Sequence, residues 1–143
     1  MENRILVAGC SNYLREYFTN GLYCISKEYY LRMLYENFEV YNLSKKNLTS
    51  KEALLLTKAF LKKNTFEYCV LSLGEGDLQT HIGKDIFRKN LMEIVSICNY
   101  YGVKIILQDT LDKNKFKEYQ DIIDEVRLLY NLNNNNYRKT LFA

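Results

Sequence analysis

Residues 5–12, Ile5-Leu6-Val7-Ala8-Gly9-Cys10-Ser11-Asn12, decide the fold of this chain. The four apolar residues are typical of a strand buried in a parallel sheet, and the small residues that follow predict a turn into a helix. In an open α/β sheet, ligands bind at the carboxyl ends of the strands, where the next helix points its N-terminal N–H groups. Ser11 is therefore the first candidate for chemistry.

The rest of the chain alternates between strand and helix patterns, which predicts a parallel sheet covered by helices on both faces. We predict a three-layer α/β/α sandwich with a short parallel sheet in the flavodoxin-like order 2-1-3-4. The predicted strands are Arg4 to Ala8, Phe38 to Tyr41, Tyr68 to Leu73 and Val103 to Leu107. The predicted helical segments are 14–35, a helix opening at Thr49, Ile82 to Tyr101 and Asn114 to Tyr130.

Local signals fix the ends and faces of these helices. Thr49 has Glu52 three residues on, the spacing of a capping box. Gly102 is placed to end the helix before it. Apolar residues at helical spacing predict the buried faces, which in the last two helices are Ile86, Phe87, Asn90, Leu91, Ile94, Val95 and Cys98, and then Phe116, Tyr119, Ile122, Ile123, Val126 and Leu129.

The 143 residues fit a single domain, 1–143, in which 131–143 forms a polar tail or a short edge element. The formal net charge is only +3 and the basic residues are spread, so no nucleic-acid partner is expected. No segment has the composition of a signal peptide or of a membrane span, so no membrane association is expected.

Four cysteines, Cys10, Cys24, Cys69 and Cys98, stand apart along the chain, three of them within apolar patterns. Free thiols in a reducing compartment are the simplest account, which predicts a cytoplasmic location. Cys10 lies beside a predicted helix N-terminus, where a thiol can become reactive, although a packed and inert thiol is the commoner case.

Two strand ends carry small-residue turns, Gly9-Cys10-Ser11-Asn12 and Gly74-Glu75-Gly76-Asp77, and the strand order makes those strands neighbours. On these two turns, and on Asn42 after the second strand, the chain resembles the SGNH (GDSL-type) esterases and lipases. The first block of that family is a strand followed by Gly-Asp-Ser, often with Asn next, and its third block is a strand followed by Gly-x-Asn-Asp. The resemblance covers Met1 to about Leu129.

The resemblance implies an acyl-transfer site in which Ser11 is the nucleophile and its own backbone N–H is one oxyanion donor. Further donors and cleft groups would come from the ends of the second and third strands. The implied oxyanion and cleft residues are Gly9, Asn12, Asn47, Gly74, Gly76 and Asp77, with Cys10, Asn42 and Asp109 as further cleft candidates.

The chain departs from the family pattern at several of these positions. Gly76 replaces the third-block Asn, Cys10 replaces the first-block Asp, and the stretch from Ser44 to Asn47, where the second-block Gly aligns, has no glycine. The Asp-x-x-His pair that the family carries near its C-terminus is missing from this sequence.

A serine needs an adjacent general base to act as a nucleophile near neutral pH. The single histidine, His81, follows the third strand and is a candidate for a relocated base, although an exposed histidine at a helix start is the commoner case. Asp109, after the fourth strand, is a candidate to orient that base or to bind a ligand, and equally a helix cap.

These observations lead to two hypotheses. The first is an SGNH-hydrolase-like protein with weak or lost serine esterase activity on a small acyl ester or an acylated sugar. The second is a non-catalytic module that uses the same cleft to bind a ligand or a protein partner. A longer parent protein or another chain that supplies the Asp-x-x-His pair is a third account of its absence. The phosphate-loop and dinucleotide motifs are incomplete, so neither a cofactor nor a metal is expected.

Overall fold

The structure is a computed structural model, and it describes residues 3–9, 37–110 and 112–132. The predicted helical segments between residues 14 and 35, and the predicted tail from 133 on, lie outside the described residues. The described elements are β1 (Arg4–Gly9), β2 (Glu39–Asn42), α1 (Ser50–Lys63), β3 (Tyr68–Ser72), α2 (Glu75–Gln79), α3 (Lys84–Tyr100), β4 (Lys104–Leu107) and α4 (Lys117–Leu129).

The four strands form one parallel sheet in the order β2-β1-β3-β4, as predicted. Val7 on β1 pairs with Asn42 on one side and Val70 on the other, and Val70 pairs in turn with Ile106. All carboxyl ends therefore meet at one edge of the sheet. Because β1 lies between β2 and β3, the segments that follow those two strands flank the point where β1 ends.

Successive residues of a strand point to opposite faces, and the two faces of this sheet differ in what covers them. On one face, α1, α3 and α4 pack in a single layer over an apolar cluster that includes Leu6, Cys69, Leu71 and Ile105. On the opposite face, Ile5, Val7, Val70 and Ile106 are also buried. The central strands are therefore excluded from solvent on both sides, and the α/β class with this strand order is confirmed.

Local predictions are confirmed where they rest on capping chemistry. The side chain of Thr49 accepts a hydrogen bond from the Glu52 backbone N–H, and the Glu52 carboxylate accepts one from the Thr49 N–H, which completes the capping box. Gly102 follows α3 with φ of +72°, the left-handed conformation typical of a residue after a helix.

Two residues predicted to face inward are exposed, and one element was not predicted. Ile86 and Leu129 lie in the first and last turns of their helices, where the apolar stripe runs past the edge of the layer beneath it. The short helix α2 begins directly after Gly74, in a glycine-rich stretch whose composition indicates a turn.

Cys69 on β3 and Cys98 on α3 are free thiols, and both are buried. A hydrogen bond with Cys98 and burial raise the pKa of the Cys69 thiol well above its usual range, which disfavours the reactive thiolate form. Within the described ranges, no helix combines the length and the apolar run that crossing a bilayer requires.

We predict that replacing a central core residue destabilises the fold far more than replacing an exposed one of the same type. Leu71→Ala, at a fully buried position of β3, should lower the free energy of unfolding by about 2–5 kcal/mol through lost burial and a cavity. Leu128→Ala, at a position 85% exposed, should change it by under about 0.5 kcal/mol. Urea denaturation of both variants measures the difference, and equal losses would contradict the assigned core.

Candidate functional site

The candidate site is the edge of the sheet where the strands end. Gly9 is paired with Ser72, so the end of β1 lies beside the segment that leads into Gly74 and α2. The predicted adjacency of β1 and β3 is confirmed, whereas a cleft lined by Ser11 and the 74–77 turn stays a prediction. The candidates Cys10, Ser11 and Asn12 lie outside the described residues.

Gly74 makes the turn from β3 into α2 and has φ of +125°, a conformation that side-chain-bearing residues rarely adopt. A Cβ atom here would lie 3.2 Å from Tyr119 Cβ and 3.4 Å from Thr110 Cγ2. The turn is therefore pressed against the segment after β4 and the first turn of α4. This contact fixes where α2 starts.

Gly76 allows the closest approach in the site. A Cβ atom at position 76 would lie 2.2 Å from the Leu48 carbonyl oxygen and 2.7 Å from the carbonyl carbon of Asn47. The backbone of the loop after β2 therefore occupies the place that a side chain at 76 would need. The family's asparagine at this position does not fit without a movement of that loop.

Asn47 lies at the other side of this contact. Its φ is +62°, in the left-handed region that glycine favours and asparagine tolerates, and its side chain is exposed. The same loop is tied to β1 by the hydrogen bond from the Lys45 N–H to the Gly9 carbonyl, at 3.0 Å. Asn47 thus presents an exposed carboxamide on a loop held at both ends, beside the edge where β1 ends.

Asp77 is fully buried, and its carboxylate is occupied by the start of α1. One oxygen accepts from the Ser50 N–H at 2.8 Å and the other from the Ser50 hydroxyl at 2.6 Å. Asn90 on α3 donates to the same hydroxyl at 3.0 Å. Burial raises the pKa of Asp77 against the effect of these two hydrogen bonds, so the net shift is upward. Asp77 holds α2 onto α1.

His81 follows α2 and is exposed, with φ of +59°. Its backbone N–H bonds to the Leu78 carbonyl at 3.2 Å, the geometry of a helix C-terminus. Its imidazole makes no hydrogen bond or ion pair with the described residues. A base is usually oriented by a third group, and in the described part of the chain no carboxylate does this for His81.

Asp109, after β4, belongs to an ion-pair network with α4. Its Oδ1 accepts from Arg127 Nη1 at 2.6 Å and from Gln120 Nε2 at 2.8 Å, and Lys113 Nζ lies 3.3 Å from its other oxygen. Partial burial acts to raise the pKa of Asp109, but the bonds from Arg127 and Gln120 and the nearby charges outweigh it and lower the pKa. Asp109 therefore anchors α4 to the end of β4.

Asn42, the last residue of β2, accepts a hydrogen bond on Oδ1 from the Ser44 N–H at 3.0 Å. This short-range bond ties the last residue of β2 to the segment that follows it. Within residues 3–9, 37–110 and 112–132, no group of three or more His, Cys, Asp or Glu residues is arranged to hold a metal ion.

Sequence reasoning missed Ser50 and Asn90 as members of the site's framework. The available signal was Asn90 itself, a polar residue within the apolar stripe of α3. A buried amide needs a hydrogen-bond partner, but the sequence could not identify Ser50, which lies 40 residues away.

We predict that Asp77→Ala destabilises the chain, because it leaves the N–H and the hydroxyl of Ser50 without their acceptor. The loss should be about 1–3 kcal/mol for each group left without a partner, and the N–H should account for the larger share. Asp77→Asn should cost less at neutral pH, because its amide oxygen can still accept from the Ser50 N–H and no charge is buried.

The effect of Asp77→Asn on stability also depends on pH. Because folding raises the pKa of Asp77, its contribution to stability is complete below its unfolded-state value near 3.9 and is lost as pH rises through the folded value. The stability of Asp77→Asn relative to the unsubstituted chain should therefore improve as pH rises from about 3 to 7. Urea denaturation across this range measures it, and a relative stability that worsens with pH would contradict the assigned burial.

We predict that Gly76→Ala costs stability at the upper end of the about 1–3 kcal/mol typical of overpacking, because the Leu48 carbonyl occupies the space of the new methyl group. Gly83→Ala is the matched control, since nothing lies within 4 Å of its Cβ position, and it should change stability by under about 1 kcal/mol. Thermal denaturation compares the two, and a neutral Gly76→Ala would mean that the loop moves freely.

No protein-family model and no curated protein sequence matches the chain. Solved structures do. An SGNH-hydrolase family esterase, AlinE4, superposes with a TM-score of 0.68 at 22% identity over 92% of this chain and 74% of that one. The psychrotrophic esterase EstA from Pseudoalteromonas sp. gives 0.65 at 17% identity over 92% and 75% of the two chains. The acetyl xylan esterase AlAXEase gives 0.67 at 13% identity over 96% and 79%. With its parallel 2-1-3-4 sheet, the chain has the fold of the SGNH-hydrolase esterases.

Proposed function

We propose that this chain is an SGNH-hydrolase-like protein whose serine esterase activity, on a small acyl ester or an acylated sugar, is weak or lost. Ser11 is the candidate nucleophile, two residues beyond the end of β1. The observation that carries the proposal is the pairing of Gly9 with Ser72, which puts the end of β1 beside the segment that leads into the Gly74 turn. The esterases of similar fold support the same chemistry.

The weakness of the activity follows from the groups around this edge. Asp77 and Asp109, two carboxylates near this edge that a catalytic histidine could use, are both engaged in structural hydrogen bonds. His81 is exposed and lacks an orienting carboxylate in the described part of the chain. Removing members of a catalytic triad lowers turnover by several orders of magnitude, so a serine without a positioned base retains little activity.

The exposed amide of Asn47 is the donor at this edge that best suits a developing oxyanion. Preorganised donors contribute through their fixed position, and Asn47 lies in a loop held by Gly76 and by the Lys45 bond to β1. We therefore assign Asn47 a binding role toward a carbonyl oxygen. Such a role does not depend on a base.

A second candidate function is a non-catalytic module that binds a ligand or a protein partner at the same edge. The absence of any side-chain partner for His81 within the described residues favours it over an active enzyme. Cys69 and Cys98 are buried free thiols that form no disulfide, which supports a reducing, cytoplasmic setting for either function.

Hydrolysis of 4-nitrophenyl acetate tests the proposal. We predict a turnover below the ordinary range of roughly 1–1,000 per second, with any residual activity removed by Ser11→Ala. His81→Ala should leave the rate unchanged, and the rate of the unsubstituted chain should show no inflection near the unperturbed histidine pKa of about 6.5.

An active enzyme with a relocated base would give the opposite pattern. Turnover would lie in the ordinary range, Ser11→Ala and His81→Ala would each reduce it, and the double variant would be no worse than either single one. That pattern would contradict the proposal. Residual activity that Ser11→Ala leaves intact would contradict the assignment of Ser11.

A further inference from the structure

The last level of the sheet before its carboxyl edge carries a row of small and polar residues on one face. Gly9 pairs with Ser72. Two hydrogen bonds, from the Leu43 N–H to the Val7 carbonyl and from the Lys45 N–H to the Gly9 carbonyl, extend the β2 ladder and place Ser44 beside Gly9. The bond from the Gln108 N–H to the Leu71 carbonyl does the same for Gln108 beside Ser72. The polar row is Ser44, Gly9, Ser72 and Gln108.

The polar row lies on the face opposite α1, α3 and α4. Ala8 and Leu71 precede Gly9 and Ser72 by one residue, and both belong to the apolar cluster under those helices. Because successive residues of a strand point to opposite faces, Gly9 and Ser72 lie on the other face. Two residues earlier on the face of the row, the sheet carries Val7, Val70 and Ile106. The face therefore changes from apolar to polar at the level where the strands end.

Two side chains of the polar row are buried without a partner. Ser44 is 5% exposed and Gln108 is 8% exposed, yet Ser44 Oγ and Gln108 Nε2 make no hydrogen bond with the described residues. A buried polar group without a partner is destabilising, because it has lost its hydrogen bonds to water and gained none in the protein. They stand at the two ends of the row, three strand spacings or about 14 Å apart.

We propose that the polar row is a binding site for an uncharged polyhydroxylated ligand, such as a sugar or the sugar part of an ester. Gln108 Nε2 needs an acceptor, and Ser44 Oγ can donate or accept. A ligand hydroxyl group can act as donor or acceptor, so it can bond to either atom. An aliphatic chain would leave both atoms unsatisfied. The row has no cationic side chain to compensate a buried anion.

This inference rests on the proposed function, because it selects the acylated sugar over the simple acyl ester at the same edge. It also applies to the non-catalytic alternative, since binding at the polar row needs no nucleophile. Retention of two unsatisfied groups at a binding edge fits the general observation that binding sites are kept at some expense in stability.

The test uses the full chain labelled with ¹⁵N, with xylotriose and peracetylated xylotriose, which are long enough to reach both ends of the row, as polar probes and pentyl acetate as the apolar one. We expect both sugar probes to shift the side-chain amide resonances of Gln108 and pentyl acetate to leave them in place. Gln120 is the internal control, because its amide is already bonded to Asp109 and Asp124 and its carbonyl to Thr110. Its resonances should not move.

Substitution separates a ligand role from a packing role. Gln108→Met and Ser44→Ala should each weaken sugar binding at least tenfold, while the melting temperature of the unligated chain stays the same or rises, since a buried unsatisfied group is removed. Thr57→Val is the matched control. It removes another buried hydroxyl without a partner, on α1 under the other face, and should leave sugar binding unchanged.

Three outcomes overturn the proposal: Gln108 resonances that respond to no probe, a response to pentyl acetate equal to that of the sugars, or a Gln108→Met variant that loses stability and keeps binding. Failure of the proposed function looks different, because turnover in the ordinary range that depends on both Ser11 and His81 would contradict that function and leave sugar binding at the polar row in place. Conversely, weak or absent hydrolysis together with Gln108 resonances that respond to no sugar would retain the proposed function and remove only this site.

Discussion

The buried bonds between Asp77 and Ser50 are the interaction on which the candidate site depends. Asp77 follows β3 and Ser50 begins the helix that follows β2, so their bonds join the two segments that flank the end of β1. Gly76 adds a second junction by packing against the loop before Ser50. Among the described residues, these contacts join the segments after the second and third strands directly at this edge.

The bonds to Ser50 have a thermodynamic cost that the fold tolerates. A carboxylate taken out of water is destabilised, which is why burial raises the pKa of Asp77 even though two donors and a helix N-terminus favour its charged form. A carboxylate held by structural hydrogen bonds of this kind is not available for proton transfer. Asp109 is engaged in a similar way by Arg127. Glu75, at the start of α2, adds a further buried carboxylate near this edge, and Ser44 and Gln108 each keep one buried polar atom without a partner among the described residues.

The sequence predicts the fold well because its signals are local and repeated. Buried apolar runs, helical spacing and the Thr49 capping box each depend on residues a few positions apart, and together they leave few arrangements of the sheet. The partner of Asp77 is 27 residues away, so no local pattern identifies it. The polar row was missed for a related reason, since Ser44 and Gln108 become neighbours of Gly9 and Ser72 only once the strand register is known. The prediction that Ile86 is buried is wrong because Ile86 lies at a helix end. There the helical spacing of apolar residues continues beyond the layer that the helix covers.

The departure from the family pattern at Gly76 also has a physical cause that the sequence alone does not reveal. The backbone of Asn47 and Leu48 fills the space beside position 76, so the chain has glycine where the family has asparagine. On the opposite side of the same contact, asparagine stands in a left-handed conformation that glycine favours, in the stretch where the family's second-block glycine aligns. Positions 47 and 76 therefore face each other across one backbone contact. Reintroducing asparagine at 76 would first require moving the loop that carries Asn47, so a single substitution cannot restore the family's arrangement.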